Sequence, residues 1–528
     1  MRKLVTLLTV FILSCVFAFG QSRQIQGKVR NDKGESVPFA TIAVKGTKNT
    51  AVADAEGNYQ IAAKTGDILV ITATGQKFVE ETVGSSSTLV TTMTAARGEL
   101  EEVVVTGAFG IKKSQRTTAF SSQVIKSEDL QIVRQTNVNN ALAGKVAGVQ
   151  TRSQSAAKLN SEAFLRIRGG LGLGDRAPIY VVDGTITGSF DINPDDIEDI
   201  TVLKGANATA LLGSQATGGA IIITTKKKVG RNGQLGIEFN TGVTVDKVYI
   251  LPQYQNQYAG GGVGDLMEFV WEPGMPEEWK ALNGKYYHDY TDDASWGPRM
   301  VGQEYIPWYA WFPGHADSYK TASLTPQPDN ARDFWQTGVT TNNNIAFGKS
   351  ANNYTFRASY TNQYIKGIIP SSSSKRNTFN VSASVDMNQH WNIATNITFS
   401  NNTIKGQFDD GYSNQSTGSF SSWFHRDLDM SKLQDLRNIR SPFGTYGTWN
   451  LRFNPDGYNP ANPSAFYKGN YWYNFYSYFN EVNNTSNRNR LFGDIDLTYK
   501  FDNHFKIRTT VRRNQLMTYA ENITTSLI

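Results

Sequence analysis

"YTFRASYT", residues Tyr354 to Thr361, alternates Tyr354, Phe356, Ala358 and Tyr360 with Thr355, Arg357, Ser359 and Thr361. A period of two puts the two sets on opposite faces of a strand. The pattern recurs downstream. Phe379, Val381, Ala383 and Val385 alternate with Asn380, Ser382, Ser384 and Asp386, and Trp391, Ile393, Thr395, Ile397 and Phe399 with Asn392, Asn396 and Ser400. Leu491, Ile495, Leu497 and Tyr499 form a fourth such run, and Phe505, Ile507, Thr509 and Val511 against Lys506, Arg508 and Arg512 a fifth. Strands with one greasy and one polar face suit a transmembrane barrel, with lipid outside and a wet lumen within. A soluble sandwich gives the same alternation, so period alone leaves two architectures open.

The connections separate them. Nearly all of 246–343 lies between a first strand, Leu235 to Val245, and a second, Asn344 to Lys349, whereas Ser350-Ala351-Asn352 is all that joins the second to the third. The next connection, Asn362 to Lys375, reads as long, Asn388-Gln389 as tight, Asn402 to Asn487 as very long, and Asp502-Asn503 as tight. Long and short alternate, as they do when one rim of a barrel carries periplasmic turns and the other extracellular loops. The expectation is an antiparallel transmembrane β-barrel of which about seven strands lie in 231–528. An odd number cannot close such a barrel, and the last residues, "TTSLI", lack a final aromatic, so a larger protein is expected.

Composition agrees with export to a membrane. Arg2 and Lys3 precede an apolar run from Leu4 to Phe19 that finishes in Ala18-Phe19-Gly20, the pattern of a signal peptide over residues 1–20. The only cysteine, Cys15, lies inside that run; apolar residues follow it, which argues against a lipoprotein cleavage site there. Without a mature thiol, neither disulfides nor a cysteine-based metal site is available. The 52 basic and 46 acidic residues are scattered, which argues against nucleic-acid binding. After residue 20 no stretch is apolar enough for a spanning helix, so membrane insertion would have to use strands.

Three further regions precede the barrel. Residues 21–94 read as a small β-sandwich of short strands separated by turns such as Asn31-Asp32-Lys33-Gly34. Residues 95–114 form a polar linker around "LEEVVVTGAFG", Leu100 to Gly110, where three consecutive valines favour extended backbone between two domains that each read as complete. A strand so placed can add to the sheet edge of a partner. Residues 115–230 alternate strands with short helices and read as a compact α/β unit. Within it, Arg166, Arg168 and Asp183, with Asp195, Asp196, Glu198 and Asp199 nearby, suit breakable polar contacts with a hydrated wall. "GGLGLG", Gly169 to Gly174, has no helix after it and is set aside as a dinucleotide motif.

The order of signal peptide, sandwich, "LEEVVVTG", "RIRG" (Arg166 to Gly169), "PIYVVDG" (Pro178 to Gly184), "INPDDIEDITVLKGA" (Ile192 to Ala206) and "SWGP" (Ser295 to Pro298) resembles the SusC/RagA family of TonB-dependent outer-membrane transporters along the whole chain. Gly205 stands where that family usually has Asp, Phe109 interrupts its usual Gly-Tyr-Gly, and "ALLGSQATGGA" replaces a common Tyr-Gly-Ser-Arg run. The resemblance implies a carboxypeptidase-regulatory-like, transthyretin-like sandwich and a TonB box at Val103, Val104, Val105, Thr106 and Gly107. It also implies a plug domain, with plug–barrel contacts expected at Arg166, Arg168 and Asp183. A barrel of about 22 strands leaves a lumen that needs such a plug.

The implied function is energised import across the outer membrane, not catalysis, and no cofactor is expected. The implied partners are TonB with its inner-membrane complex, a SusD-like surface lipoprotein, outer-membrane lipid, and an oligosaccharide or peptide as cargo. A signal-transducing receptor and a surface adhesin are the alternatives. Tryptophans crowd the long loops: Trp271, Trp279, Trp296, Trp308, Trp311 and Trp335 in the first, Trp423, Trp449 and Trp472 in the later one. They suit sugar stacking, but loop packing comes first. His288 and His315 have no second ligand at metal spacing, so no metal site is expected.

Overall fold

The structure is a computed structural model. It describes residues 22–94, 104–106, 112–114, 123–131 and 135–526, except 33, 48, 75, 153–155, 160–162, 170–176, 230–232, 407–418, 421 and 503. The expected signal peptide lies outside the described residues. The chain divides into two compact units, Met1–Val103 and Val104–Ile528.

In the first unit, short alternating segments pair into two sheets. One is ordered β4 (Asn58–Ala63), β1 (Arg23–Asn31), β7 (Thr88–Met93); the other β3 (Thr50–Val52), β2 (Thr41–Val44), β5 (Ile68–Thr72), β6 (Val79–Thr82). Ile25, Val29, Ile42, Ile61, Leu69 and Ile71 from the facing sides form a single core, as expected of a sandwich. Gly27 is required there: a Cβ would lie 2.1 Å from the Tyr59 ring.

The second unit begins with β8 (Val104–Thr106), which pairs antiparallel with β9 (Lys112–Ser114), Val105 opposite Lys113. The plug sheet then uses β10 (Gln123–Lys126), β13 (Ile179–Val182), β14 (Thr185–Thr187), β15 (Ile197–Leu203) and β16 (Ala220–Thr225), in the order β10-β15-β16-β13-β14. Beside it stands a separate pair, β11 (Val149–Arg152) with β12 (Phe164–Ile167). β16 is buried at every residue. That follows from covering on both faces: Ile221 and Ile223 enter one core with Ile200 and Val202, Ala220 and Ile222 another with Leu203 and Ala208.

The barrel sheet has seven antiparallel strands in sequence order: β17 (Leu235–Asp246), then β22 (Gly338–Ala351), β23 (Tyr354–Lys366), β24 (Ser373–Asp386), β25 (Trp391–Lys405), β26 (Val482–Lys500) and β27 (Lys506–Thr524). Two small hairpins intervene in the first loop, β18 (Met267–Glu268) with β19 (Tyr286–Tyr287) and β20 (Glu304–Tyr305) with β21 (Ala322–Ser323). The alternation sorts the faces as expected. Phe379 is 49% exposed on the outside while its neighbour Asn380 is 1% exposed on the inside. At the short-turn rim Trp391, Tyr499, Phe501 and Phe505 form a chain of ring contacts, Trp391 to Tyr499 at 4.7 Å and Tyr499 to Phe501 at 4.6 Å, an aromatic girdle at the level of an interface.

One connection differs from expectation. β23 and β24 continue through Lys366 and from Ser373, so only 367–372 joins them. The stretch Asn362 to Lys375, with Gly367, Pro370 and four serines, looks like loop, yet Asn362 pairs with Asn377 and Gln363 with Arg376 across the ladder. Beyond the apolar band a barrel strand can be polar on both faces, and hydropathy then stops marking it. The connections 247–337 and 406–481 are long, and they share an aromatic core: Trp279 packs on Trp311 at 4.8 Å and on Phe466 at 5.0 Å. No described helix is long and apolar enough to cross a membrane.

An arginine at Val381, which faces outward at mid-strand, is expected to lower folding stability by about 2–4 kcal/mol in lipid, and one at Met387, beside the short turn, by about 0–1 kcal/mol. Urea titration of the full protein in vesicles measures both. Equal effects would place this face outside hydrocarbon.

Candidate functional site

A buried surface rich in charge lies where the plug meets the inward face of the sheet. Asn193-Pro194 shapes it. The Asn193 side chain accepts from the Asp195 N–H, and Pro194 opens a 3-10 turn over Pro194–Asp196, where its missing N–H leaves no bond unmade. This turn sets Asp191, Asn193, Asp195 and Asp196, all buried, along one edge.

Each finds a partner on the wall. Arg357 of β23, fully buried, donates from Nη2 to Asp196 Oδ1 at 2.8 Å, and Ser359 Oγ donates to the same oxygen at 2.6 Å. Asn193 Nδ2 donates to Thr361 Oγ1 at 2.8 Å, and Asn342 Nδ2 to Asp195 Oδ2 at 3.1 Å. Arg488 of β26 grips Asp191 with two bonds, Nε at 3.1 Å and Nη2 at 2.9 Å, the bidentate geometry that makes arginine–carboxylate pairs strong. Arg490 donates to Thr187 Oγ1 at 3.0 Å, and Arg376 to the Thr136 carbonyl at 2.8 Å.

Of the residues expected at this interface, Asp183 reaches the wall. It sits with Gly184 in the turn between β13 and β14, φ 46° and 90°, the doubly positive geometry that Asp-Gly hairpins adopt. That geometry aims its carboxylate at Asn396 of β25, which donates to Oδ2; Thr225 Oγ1 donates at 2.6 Å and Lys227 lies at 3.1 Å. Arg166 lies over the Phe164 ring at 4.7 Å. Arg168 is exposed, with φ 60°, and its N–H donates to the Gly148 carbonyl at 2.7 Å. Glu198 is exposed, and Asp199 accepts from Thr224 at 3.1 Å. Of the TonB-box residues, Val104, Val105 and Thr106 form β8; Val103 and Gly107 lie outside the described residues.

Arg357 and Arg488 were not singled out by the sequence. Arg357 is the only charged residue in the polar row of "YTFRASYT", and that isolation was the available signal.

The loops hold two other arrangements. Trp279, Trp308, Trp311, Trp449 and Trp472 are buried packing residues, whereas Trp296 and Trp423 are exposed. Trp423 and Tyr471 line an open cavity of about 410 Å³ with Asp289, Thr291, Asp292, Asp293 and Asn470. The second arrangement concerns His288, which is not isolated in space. Its Nε2 lies 3.1 Å from Asp427 Oδ2, and His425 completes a buried group. His315 instead bonds the Tyr309 carbonyl at 2.9 Å. Burial pushes the His425 imidazole down to about 4. Burial opposes charge at His288 as well, but the Asp427 carboxylate outweighs it and raises that ring above its ordinary value.

Residues 114–220 match the TonB-dependent Receptor Plug Domain family, and residues 25–105 the CarboxypepD_reg-like domain. TonB-dependent receptor SusC of Bacteroides thetaiotaomicron is 28% identical across all of this chain and 47% of its own length. TonB-dependent receptor P3 of Formosa agariphila is 32% identical over 47% of this chain and 25% of its own. The chain therefore spans less than half the length of these curated relatives. Among solved structures, the RagAB peptide importer in its open-open state superposes with a TM-score of 0.53, at 18% identity, over 79% of this chain and 42% of that one.

Replacing Arg357 with Leu strands the Asp196 carboxylate in a buried site and is expected to weaken plug docking by about 3–5 kcal/mol. Adding Asp196→Asn should restore most of the loss. Hydrogen exchange of plug amides in the intact protein reads the effect; unchanged protection in the single variant would show that the pair does not hold the plug.

Proposed function

We propose that this homologue of the SusC/RagA TonB-dependent receptors belongs to an outer-membrane importer whose plug is withdrawn by TonB, energised from the inner membrane. The observation that supports it most is the docking strip from Asp191 to Asp196, held to the wall by ion pairs and amide hydrogen bonds. A plug glued by apolar packing would lose its contacts outright on moving. Polar contacts in a lumen exchange for water, so the seal is strong at rest and still separable.

The tether has the matching property. β8 and β9 form a ladder of only three residue pairs, set beside β16, and so short a two-stranded ladder contributes little stability by itself. Val104 to Thr106 can therefore leave β9 and add to a sheet edge of TonB. Deleting Val103 to Gly107 is expected to abolish uptake while leaving the protein assembled in the outer membrane and competent to bind cargo. Normal uptake by the deletion variant sinks the mechanism.

The cargo we favour is an oligosaccharide handed over by a SusD-like lipoprotein at the surface. The cavity at Trp423 and Tyr471 supports it: two accessible aromatic faces beside three carboxylates and an amide combine stacking with acceptors for sugar hydroxyls. Peptides are the other class. Trp423→Ala is expected to weaken binding of oligosaccharides about tenfold, measured by calorimetry on the full-length protein. Peptide binding lost in that variant, with no oligosaccharide binding in the parent, would reassign the cargo.

A further inference from the structure

We propose that His288, His425 and Asp427 form a binding site for a divalent transition-metal ion of the zinc class, which clasps the two long loops together. The three residues are buried, and one ligand atom from each lies within 4.8 Å of the others. Around a tetrahedral zinc with bonds of about 2.0–2.1 Å, ligand atoms stand about 3.3 Å apart. His288 Nε2 and Asp427 Oδ2, 3.1 Å apart, already have that spacing. Drawing the widest pair together by about 1.5 Å completes the set.

The surroundings orient every donor. His288 Nδ1 faces the Asp289 carbonyl at 3.0 Å and His425 Nε2 faces the Asp292 carbonyl at 2.7 Å. A carbonyl only accepts, so each ring carries its proton on that side. His425 then has Nδ1, the ring nitrogen away from the Asp292 contact, left to act as ligand. His288 Nε2 lies 3.1 Å from Asp427 Oδ2, a contact closed by a shared proton that a metal ion can replace. The Gly260 N–H holds Asp427 Oδ1 at 2.7 Å, leaving Oδ2 for the site. Backbone partners on the far side of each ligand are the usual means of fixing tautomer and direction at a metal centre.

Space is reserved as well. A Cβ on residue 260 would fall 2.0 Å from His425 Cγ, so only glycine lets the ring lie there. An adjoining cavity of about 110 Å³, lined by His288, Tyr305, His425 and Asp427 among others, accommodates a water as fourth ligand. Binding would displace the proton shared by His288 and Asp427 to solvent. The ligands come from both long connections, so the ion would fasten one to the other. This inference stands apart from the transport reading.

The test uses untagged full-length protein purified in detergent from outer membranes and stripped with chelator. Zinc chloride is titrated in by calorimetry, bound zinc is counted by mass spectrometry, and cobalt(II) is added separately for its visible spectrum. One zinc per chain and an intense tetrahedral cobalt band are expected. His425→Gln keeps the His288–Asp427 pair, and so the fold, and should weaken zinc about 100-fold, while His315→Gln leaves it unchanged. If parent and His425→Gln bind zinc alike, or the parent binds none, the group is a buried ion pair and the proposal fails.

Discussion

Arg357 is a permanently charged side chain with no exposed surface, and its guanidinium cannot shed its proton to suit such a place. The wall of a water-filled barrel would hydrate it, but the plug lies over it. The plug supplies the counter-charge, Asp196, while Ser359 and Asn380 of the wall accept from the other side of the guanidinium. Asp196 has the converse need and meets it with Arg357, Ser359 and Asn193. Each surface is left with an unmet charge when the other is replaced by something apolar. Each is satisfied by water when the other simply departs. That asymmetry distinguishes a seal from a core.

The same sheet manages three surroundings with one alternation. Outward residues such as Phe379, Val381 and Ile397 face lipid, where burial of apolar area is unopposed. Inward residues such as Asn380, Asn396 and Ser400 bond one another or the plug. Above the apolar band both faces can be polar. The long loops have neither lipid nor plug to pack on, so they carry their own core of edge-on aromatic rings, each such pair adding about 0.5–1.5 kcal/mol beyond its buried area. The abundance of loop tryptophan is thus mostly structural, and the exposed rings at Trp296 and Trp423 stand out against it.

How much of this the sequence disclosed follows from the range of each interaction. Period-two alternation is local, and it placed the strands and sorted their faces. Strand ends were lost where the local signal stopped, between Asn362 and Lys375. The acidic strip was recognisable as charge near the plug's last strands, yet its partners were not, because Arg357 and Arg488 become neighbours of Asp196 and Asp191 only when register and plug position are fixed. His288 failed for the same reason: its partners come from a loop far along the chain. Asp183 stands out in sequence only as one of several charges near the plug strands; the Asp-Gly turn that aims it at Asn396 is a feature of the fold.

These magnitudes also order the events that a pull on the chain would set off. The hairpin of β8 with β9 is held by a few backbone hydrogen bonds, each worth about 0.5–1.5 kcal/mol net, and by the contact of β8 with β16. The strip is held by several charged contacts and amide hydrogen bonds made at once, more numerous than the bonds of the hairpin. The plug sheet is held by two cores, with β16 buried along its length. A force entering at Val104 therefore frees the hairpin first and meets the strip next. Whether the strip or the sheet yields after that depends on solvent: water entering from the lumen competes for Asp191 and Asp196 but has no access to Ile221 and Ile223, which are fully buried. The polar interface is the joint that water can open, and the plug can move away from the wall with much of its fold intact.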